Sequence, residues 1–326
     1  MTGCRYWFTV VGVCLLGLLA SSVAHAQAGQ YPDKPVTIIS DAAPGAAPDV
    51  ATRSIAEKLS KIWGQQVVVV NHPGANGSVA ARAASEANAD GYTLYTPALS
   101  TFVALPTVAP NLPLKLPRDF LPVGFIADQP MFIAVAPSLG VTTLPQLIAL
   151  AKKEPGKVSI ATTGIGHATH LTGALLQERA NITLLSVPYT HGPASAIGDV
   201  ATGRVSLIIE NYAGIIGSVK AGQVNLIAIA SAKRLPEFPD VPTVAETLPG
   251  FAASGWVALV APVGTPAPII NKVSADLRTV VSDADFTKTL AALGIYSPFM
   301  TPEELQTFVA KEQQTWLPVL QRVSAK

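Results

Sequence analysis

Residues 36–63 constrain the fold more than any other stretch, because they set a strand, a loop of small residues and a helix in direct succession. The run Val36-Thr37-Ile38-Ile39-Ser40 is apolar and largely β-branched, which reads as a strand. Val50 to Trp63 puts Ile55, Leu59 and Ile62 on one helical face, with Arg53, Glu57, Lys58 and Lys61 elsewhere. Between them lies Ala42-Ala43-Pro44-Gly45-Ala46-Ala47-Pro48-Asp49. Small side chains there let backbone approach a ligand closely. Pro48-Asp49 reads as a helix start, with an acidic residue at the positive end of the dipole. Unpaired N–H groups at such a junction suit an anion, although the same residues also suit an ordinary strand-to-helix turn.

The pattern repeats. Gln66 to Val70 is a continuous β-branched run, expected to be a strand buried on both faces. A second small-residue loop, Asn71 to Ser78, leads into an alanine-rich helix, and Tyr92 to Thr96 forms the next strand. This order predicts right-handed parallel crossovers, with both loops at the carboxyl edge where open α/β sheets bind ligands. Residues 97–122 are proline-rich and contain a connector, Leu112-Pro113-Leu114-Lys115-Leu116-Pro117. Strands are then expected at Met131–Ala136, Lys157–Thr162, Leu184–Pro188, Val205–Ile209 and Asn225–Ala230, alternating with helices, and the tail from Pro268 to Val323 is helical. Phe132-Ile133-Ala134-Val135-Ala136-Pro137 is similar to Val257-Ala258-Leu259-Val260-Ala261-Pro262. Two such strands imply two chain crossings between two lobes, with a ligand cleft between them.

The 326 residues suffice for two lobes with a sizeable core. With 13% charged residues and a formal net charge of +1, the chain offers no electrostatic footprint for nucleic acid or an anionic membrane. Arg5, the apolar run from Val10 to Ala20 and the small residues Ala24 and Ala26 form the tripartite pattern of a secretory signal peptide over residues 1–26. Both cysteines, Cys4 and Cys14, fall in it, so the exported chain is expected to carry no thiol, disulfide or cysteine metal ligand. No later run is long and apolar enough to insert into a membrane.

Catalytic signatures are missing: there is no G-x-S-x-G elbow, no phosphate loop and no H-E-x-x-H helix. Gly164-Ile165-Gly166 begins a dinucleotide pattern, but Thr169 occupies the third glycine position. His167 and His170 share a helix face without a carboxylate or third imidazole beside them, so neither a metal nor a cofactor is expected. The loop Thr162 to His170 is a better site. Its hydroxyls, two glycines and helix start supply neutral donors able to hold a carboxylate without a salt bridge, although a helix capped without any ligand fits the same residues.

Taken together, Tyr31-Pro32-Asp33-Lys34-Pro35, Pro44 to Asp49, Asn71-His72-Pro73-Gly74-Ala75-Asn76-Gly77 and Asp90-Gly91-Tyr92-Thr93-Leu94 resemble the Bug-type, or TctC-family, receptors of tripartite tricarboxylate transporters. Thr163 to Leu171, Val187-Pro188-Tyr189, Ser231-Ala232-Lys233-Arg234, Pro239 to Glu246 and Ala261 to Pro266 extend the resemblance over nearly the whole exported length. It implies a two-lobed α/β periplasmic-binding-protein fold of type II, with parallel-type sheets, helices on both faces and a two-strand hinge. On that reading residues 27–129 and 255–326 form one lobe and residues 130–254 the other. It implies a non-enzymatic, monomeric periplasmic receptor that captures a small carboxylate and passes it to integral-membrane transporter subunits. A sensing subunit and an exported α/β hydrolase are the alternatives. Carried over by position, Ala43, Gly45, Ala47 and Asp49 would bind ligand from one lobe, and Thr163, Gly164, His167 and His170 from the other, with Tyr189 and Glu210 as walls. Ala46, Pro48, His167 and Thr190-His191 depart from the family pattern, and Pro48 removes a backbone donor. These departures point to a more apolar or aromatic acid than a compact amino dicarboxylate.

Overall fold

The computed structural model describes residues 31–189 and 193–324. The expected signal peptide, both cysteines and Thr190-His191 lie outside the described residues. Residues 1–33 and 34–326 are two separate compact units. Of the first, Tyr31, Pro32 and Asp33 are described, and Tyr31-Pro32 is a cis peptide. The second unit carries all the strands and helices described.

Its strands are β1 (Val36–Ser40), β2 (Val67–Asn71), β3 (Thr93–Thr96), β4 (Phe120–Val135), β5 (Ser159–Thr162), β6 (Leu185–Pro188), β7 (Leu207–Asn211), β8 (Asn225–Ile229) and β9 (Ser254–Pro262). They run in the order β2-β1-β3-β9-β4-β7-β5-β6, with β8 also paired to β4. β1 is parallel to β2 and β3, and β5 is parallel to β6 and β7. These two parallel groups with intervening helices are the expected α/β architecture. The strands joining them, β4 and β9, are antiparallel to their neighbours.

β4 holds the two groups together. Its residues 120–130 pair with β9, and from Met131 onward it pairs with β7 and β8. The chain returns through Ala253, whose N–H donates to the Ala230 carbonyl at 2.7 Å. The sequence shows only the second half of β4. Pro122, Gly124 and Pro130 break the strand pattern of the first half, and its register shifts between Pro122 and Gly124 and between Phe125 and Ala127.

Two further expectations need correction. β2 is not buried on both faces: it lies at the end of the strand order, and Val68 is 44% exposed. Ile62 is 45% exposed, so the helix Ala47–Trp63 buries Ala51, Ile55, Ala56 and Leu59 instead. As expected, Leu112 to Pro117 carries no helix or strand, but the proline-rich stretch 97–122 around it does. It contains a π-helical turn, Ser100–Ala104, a short helix, Leu105–Val108, and the start of β4. Phe102 is buried there, with its ring 6.4 Å from Tyr95 and 5.9 Å from Phe120. The final helix, Pro302–Ser324, ties the parts together. Gln313 Nε2 donates to the Phe102 carbonyl at 2.7 Å, Glu312 Oε2 accepts from the Trp256 and Trp316 indoles at 3.1 and 3.2 Å, and Arg322 pairs with Glu178. No helix among the described residues is long and apolar enough to cross a membrane.

Candidate functional site

The carboxyl ends of β1, β3, β5 and β7 surround a cavity of about 460 Å³, floored by Gln129, Met131, Gly255 and Trp256 of the joining strands. That volume suits a small organic ligand. Several helices begin at its wall. Ala46 and Pro48 start the helix after β1, Gly77 precedes the helix Ser78–Ser85, and His167 to Thr169 open the helix after β5. Pro193 and Asn211 do the same for the two helices that follow. Helix starts expose N–H groups and the positive end of the dipole, so their convergence favours an anion. Among the described residues no lysine or arginine lines the cavity.

Of the residues expected to bind, Ala43, Thr163, Gly164, His167 and Glu210 line this cavity, while Gly45, Ala47, Asp49, His170 and Tyr189 stand outside its lining. Asp49 is 2% exposed and faces its own loop. Its Oδ2 accepts from the Gly45 amide and Arg53 Nε, both at 2.9 Å, and its Oδ1 accepts from Asn71 Nδ2 at 2.7 Å. Burial alone would raise its pKa, but these bonds outweigh burial and hold the carboxylate below its usual range. Asn71 Nδ2 also donates to the Ala42 carbonyl at 3.0 Å, so one network fixes the whole loop. Ala47 is buried in the first turn of the helix. The Tyr189 hydroxyl donates to Asp199 Oδ2 at 2.6 Å, and burial together with that carboxylate pushes its pKa up to about 12.

His167 and His170 are both half-buried, and burial lowers both pKa values. The proton-carrying form of His167 is disfavoured further by His170, so it faces the cavity as a neutral imidazole. His170 Nδ1 accepts from the Gly166 amide at 3.4 Å, which braces the loop. The Thr163 and Thr169 hydroxyls lie 2.7 Å apart. Among the described residues no group of three or more histidine, cysteine or acidic side chains is arranged to hold a metal.

Sequence reasoning missed Asp41 and Gln129 in the lining, while Thr169 belongs to the loop it singled out. Asp41 directly follows β1, so its place at the carboxyl edge was a readable signal. Its Oδ2 accepts from the Ala98 amide at 3.0 Å, the Thr101 hydroxyl at 2.5 Å and the Tyr95 hydroxyl at 3.3 Å. Burial raises its pKa against those bonds. Gly77 makes this anchor possible: its φ is +86°, and an added Cβ would collide with the Thr101 hydroxyl and lie 2.9 Å from Asp41 Oδ2. Gly77→Ala is therefore expected to cost roughly 2–4 kcal/mol, from left-handed strain plus overpacking, as read by urea unfolding.

Glu210 is 7% exposed, and its Oε1 accepts from the Asn211 amide at 2.9 Å. Burial raises its pKa to about 7. Gln129 is 1% exposed, and its Nε2 has no hydrogen-bond partner. A buried donor without an acceptor is costly to the fold.

A family model described as tripartite tricarboxylate transporter family receptor matches residues 51–324. Protein BugT of Bordetella pertussis is 33% identical over 319 residues, 97% of each chain. A solved R. palustris protein with adipate superposes with a TM-score of 0.85 at 29% identity, over 89% of this chain and 97% of that one. MatC from Rhodopseudomonas palustris with bound malate gives 0.80 at 28% identity, over 89% of this chain and 100% of the other.

Proposed function

The chain belongs to the tripartite tricarboxylate transporter family of receptors, which are binding proteins and not enzymes, and from that premise we propose that it captures a small organic carboxylate. The observation that carries this reading is the convergence of helix starts on a cavity that no lysine or arginine lines among the described residues. A carboxylate there is held by backbone N–H groups and hydroxyls. Excluding water strengthens those bonds, because the local dielectric falls. The adipate and malate seen in the two similar structures fit the same chemistry.

The lobes meet at 129/130 and 254/255. This boundary is supported by the change of partners along β4, where Pro130 is the last residue paired to β9 and Met131 the first paired to β7. Closure of the lobes around the ligand then presents one liganded form to membrane-embedded transporter subunits. The protein acts in the periplasm as a monomer once residues 1–26 have directed its export. Ala43, Thr163, Gly164 and His167 touch the ligand, while Gly45, Ala47, Asp49, His170 and Tyr189 support the loops that do.

A thermal-shift screen against a library of aliphatic, hydroxylated and aromatic carboxylates tests this. Saturation at about 100 times the dissociation constant stabilises the folded form by about 2.7 kcal/mol, which corresponds to a midpoint rise of roughly 5 °C or more. No rise for any member of the library rejects the reading.

A further inference from the structure

The π-helical turn Ser100–Ala104 touches four parts of the molecule. Leu99, just before it, and Ser100 line the cavity. The Thr101 hydroxyl lies 2.5 Å from Asp41 Oδ2, to which it donates, and 3.2 Å from the Asn76 carbonyl, which ties the turn to the loops after β1 and β2. The Phe102 carbonyl accepts from Gln313 of the final helix at 2.7 Å. Ala104 is fully buried against Gly166, and a Cβ added at Gly166 would lie only 2.9 Å from the Ala104 methyl. Carbon atoms pack at about 3.5–4.0 Å, so this approach leaves no room for a side chain. Turns of this widened kind recur at functional sites.

Gly166 belongs to the loop Thr162 to His170. Gly164 and His167 of that loop line the cavity, and Ile165 is 58% exposed, so the contact with Ala104 stands at the rim between cavity and solvent. Across the boundary proposed at 129/130 and 254/255, Ala104 lies in one lobe and Gly166 in the other. No hydrogen bond joins the turn to this loop among the described residues, so the two surfaces can part and meet again without leaving a donor or acceptor unpaired. Two other contacts across that boundary are made by long side chains: Arg322 pairs with Glu178, and the Tyr296 hydroxyl donates to Glu237 at 2.8 Å. Such side chains follow a small movement by changing rotamer. A methyl against an α-carbon cannot.

Resting on the receptor reading and on that lobe boundary, we infer that Ala104 and Gly166 are the stop on which the cleft closes. Their contact sets how near the loop Thr162 to His170 comes to Ala43 and Ala46 on the opposite wall. A carboxylate held from both sides needs donor–acceptor distances of about 2.7–3.2 Å at each. Volume added at the stop holds the lobes apart, so hydrogen bonds to one wall stretch as those to the other are kept. Neither residue is in the cavity lining, so both act by position and not by touching the carboxylate.

Two measurements test this on the full chain carrying Cys4→Ser and Cys14→Ser, which removes its only cysteines. The probe is the carboxylate with the largest shift in the thermal screen above, adipate and malate included. The first measurement adds Ala104→Cys with Gly166→Cys. A disulfide needs Cβ atoms about 3.5–4.5 Å apart, which the closed cleft supplies after a small relaxation. Saturating carboxylate is expected to speed disulfide formation about five-fold or more, as the closed population rises. The oxidised protein is expected to release the carboxylate roughly ten-fold more slowly than the reduced one. The second measurement uses Ala104→Val without oxidation. Binding is expected to weaken about ten-fold, mostly through faster dissociation, with thermal melting confirming that the variant is folded. A merely structural role at these positions would lower the melting midpoint but would not make cross-linking depend on carboxylate. Disulfide formation at one rate with and without carboxylate, or unchanged affinity in Ala104→Val, overturns the inference and leaves the receptor reading intact. Binding of no carboxylate in the library removes the receptor reading and this inference with it.

Discussion

Replacing Glu210 with glutamine is expected to stabilise the protein at pH 8 and to change nothing at pH 4. The folded carboxyl titrates at about 7, against an ordinary value of 4.5, because burial penalises its charge. A raised carboxyl pKa means that the unfolded chain releases this proton first as pH rises. The stability associated with the neutral form is complete below 4.5, declines between 4.5 and 7, and is gone above the folded value. At 1.36 kcal/mol per pKa unit, the difference between those two values sets an upper bound of about 3 kcal/mol. Glutamine keeps an oxygen to accept from the Asn211 amide and removes the charge. Urea unfolding of both proteins at pH 4, 6 and 8 reads the effect directly. Curves that coincide at pH 8 would show that Glu210 is hydrated, not buried as a charge. The sign follows from burial: an ionised Glu210 is a cost that folding alone does not recover.

The sequence made the periodic parts of this chain legible and left the contact-dependent parts hidden. β1, its following loop and the helix Ala47–Trp63 can be read locally, because strand pattern, small residues and capping all agree there. The first half of β4 cannot, since Pro122, Gly124 and Pro130 argue against a strand that exists only through pairing with β9 more than a hundred residues away. Gln129 lies in that hidden stretch, so a floor residue of the cavity was lost with it. Polar residues in the right loops were over-assigned for a related reason. Asp49, His170 and Tyr189 have the chemistry of ligand contacts, but each spends it on the chain itself, through Gly45, Gly166 and Asp199 respectively. One-dimensional pattern cannot separate a side chain that holds a loop from one that holds what the loop holds. Asp41 shows the converse. It sits at the expected edge, and its role became visible only when Tyr95 of β3 and Ala98 and Thr101 of the chain after it were brought to it.

Asp49→Ala is expected to destabilise the fold by about 2–4 kcal/mol at pH 7 and to weaken carboxylate capture, although Asp49 lies outside the cavity lining. The Arg53 partner is 48% exposed, so the ion pair itself contributes modestly. The larger loss is in the loop: the Gly45 amide and Asn71 Nδ2 lose their acceptor, and the segment from Ala42 to Asp49 loses the brace that fixes Ala43 and Ala46 at the cavity wall. Asp49→Asn separates the two contributions. It retains one oxygen for a single donor and abolishes the charge, so its stability should fall between that of the original and the alanine variant. The pH dependence runs opposite to that of Glu210. Because the folded pKa of Asp49 is lowered, its contribution is fully present above 3.8 and is lost as pH falls through the folded value. The gap between the original protein and Asp49→Ala should thus be constant from pH 8 to pH 5 and close only in stronger acid. Unfolding curves across that range, paired with calorimetry at pH 7, read both effects. A variant that is destabilised yet binds its carboxylate with unchanged affinity would mean that the wall at Ala43 and Ala46 keeps its shape without the brace.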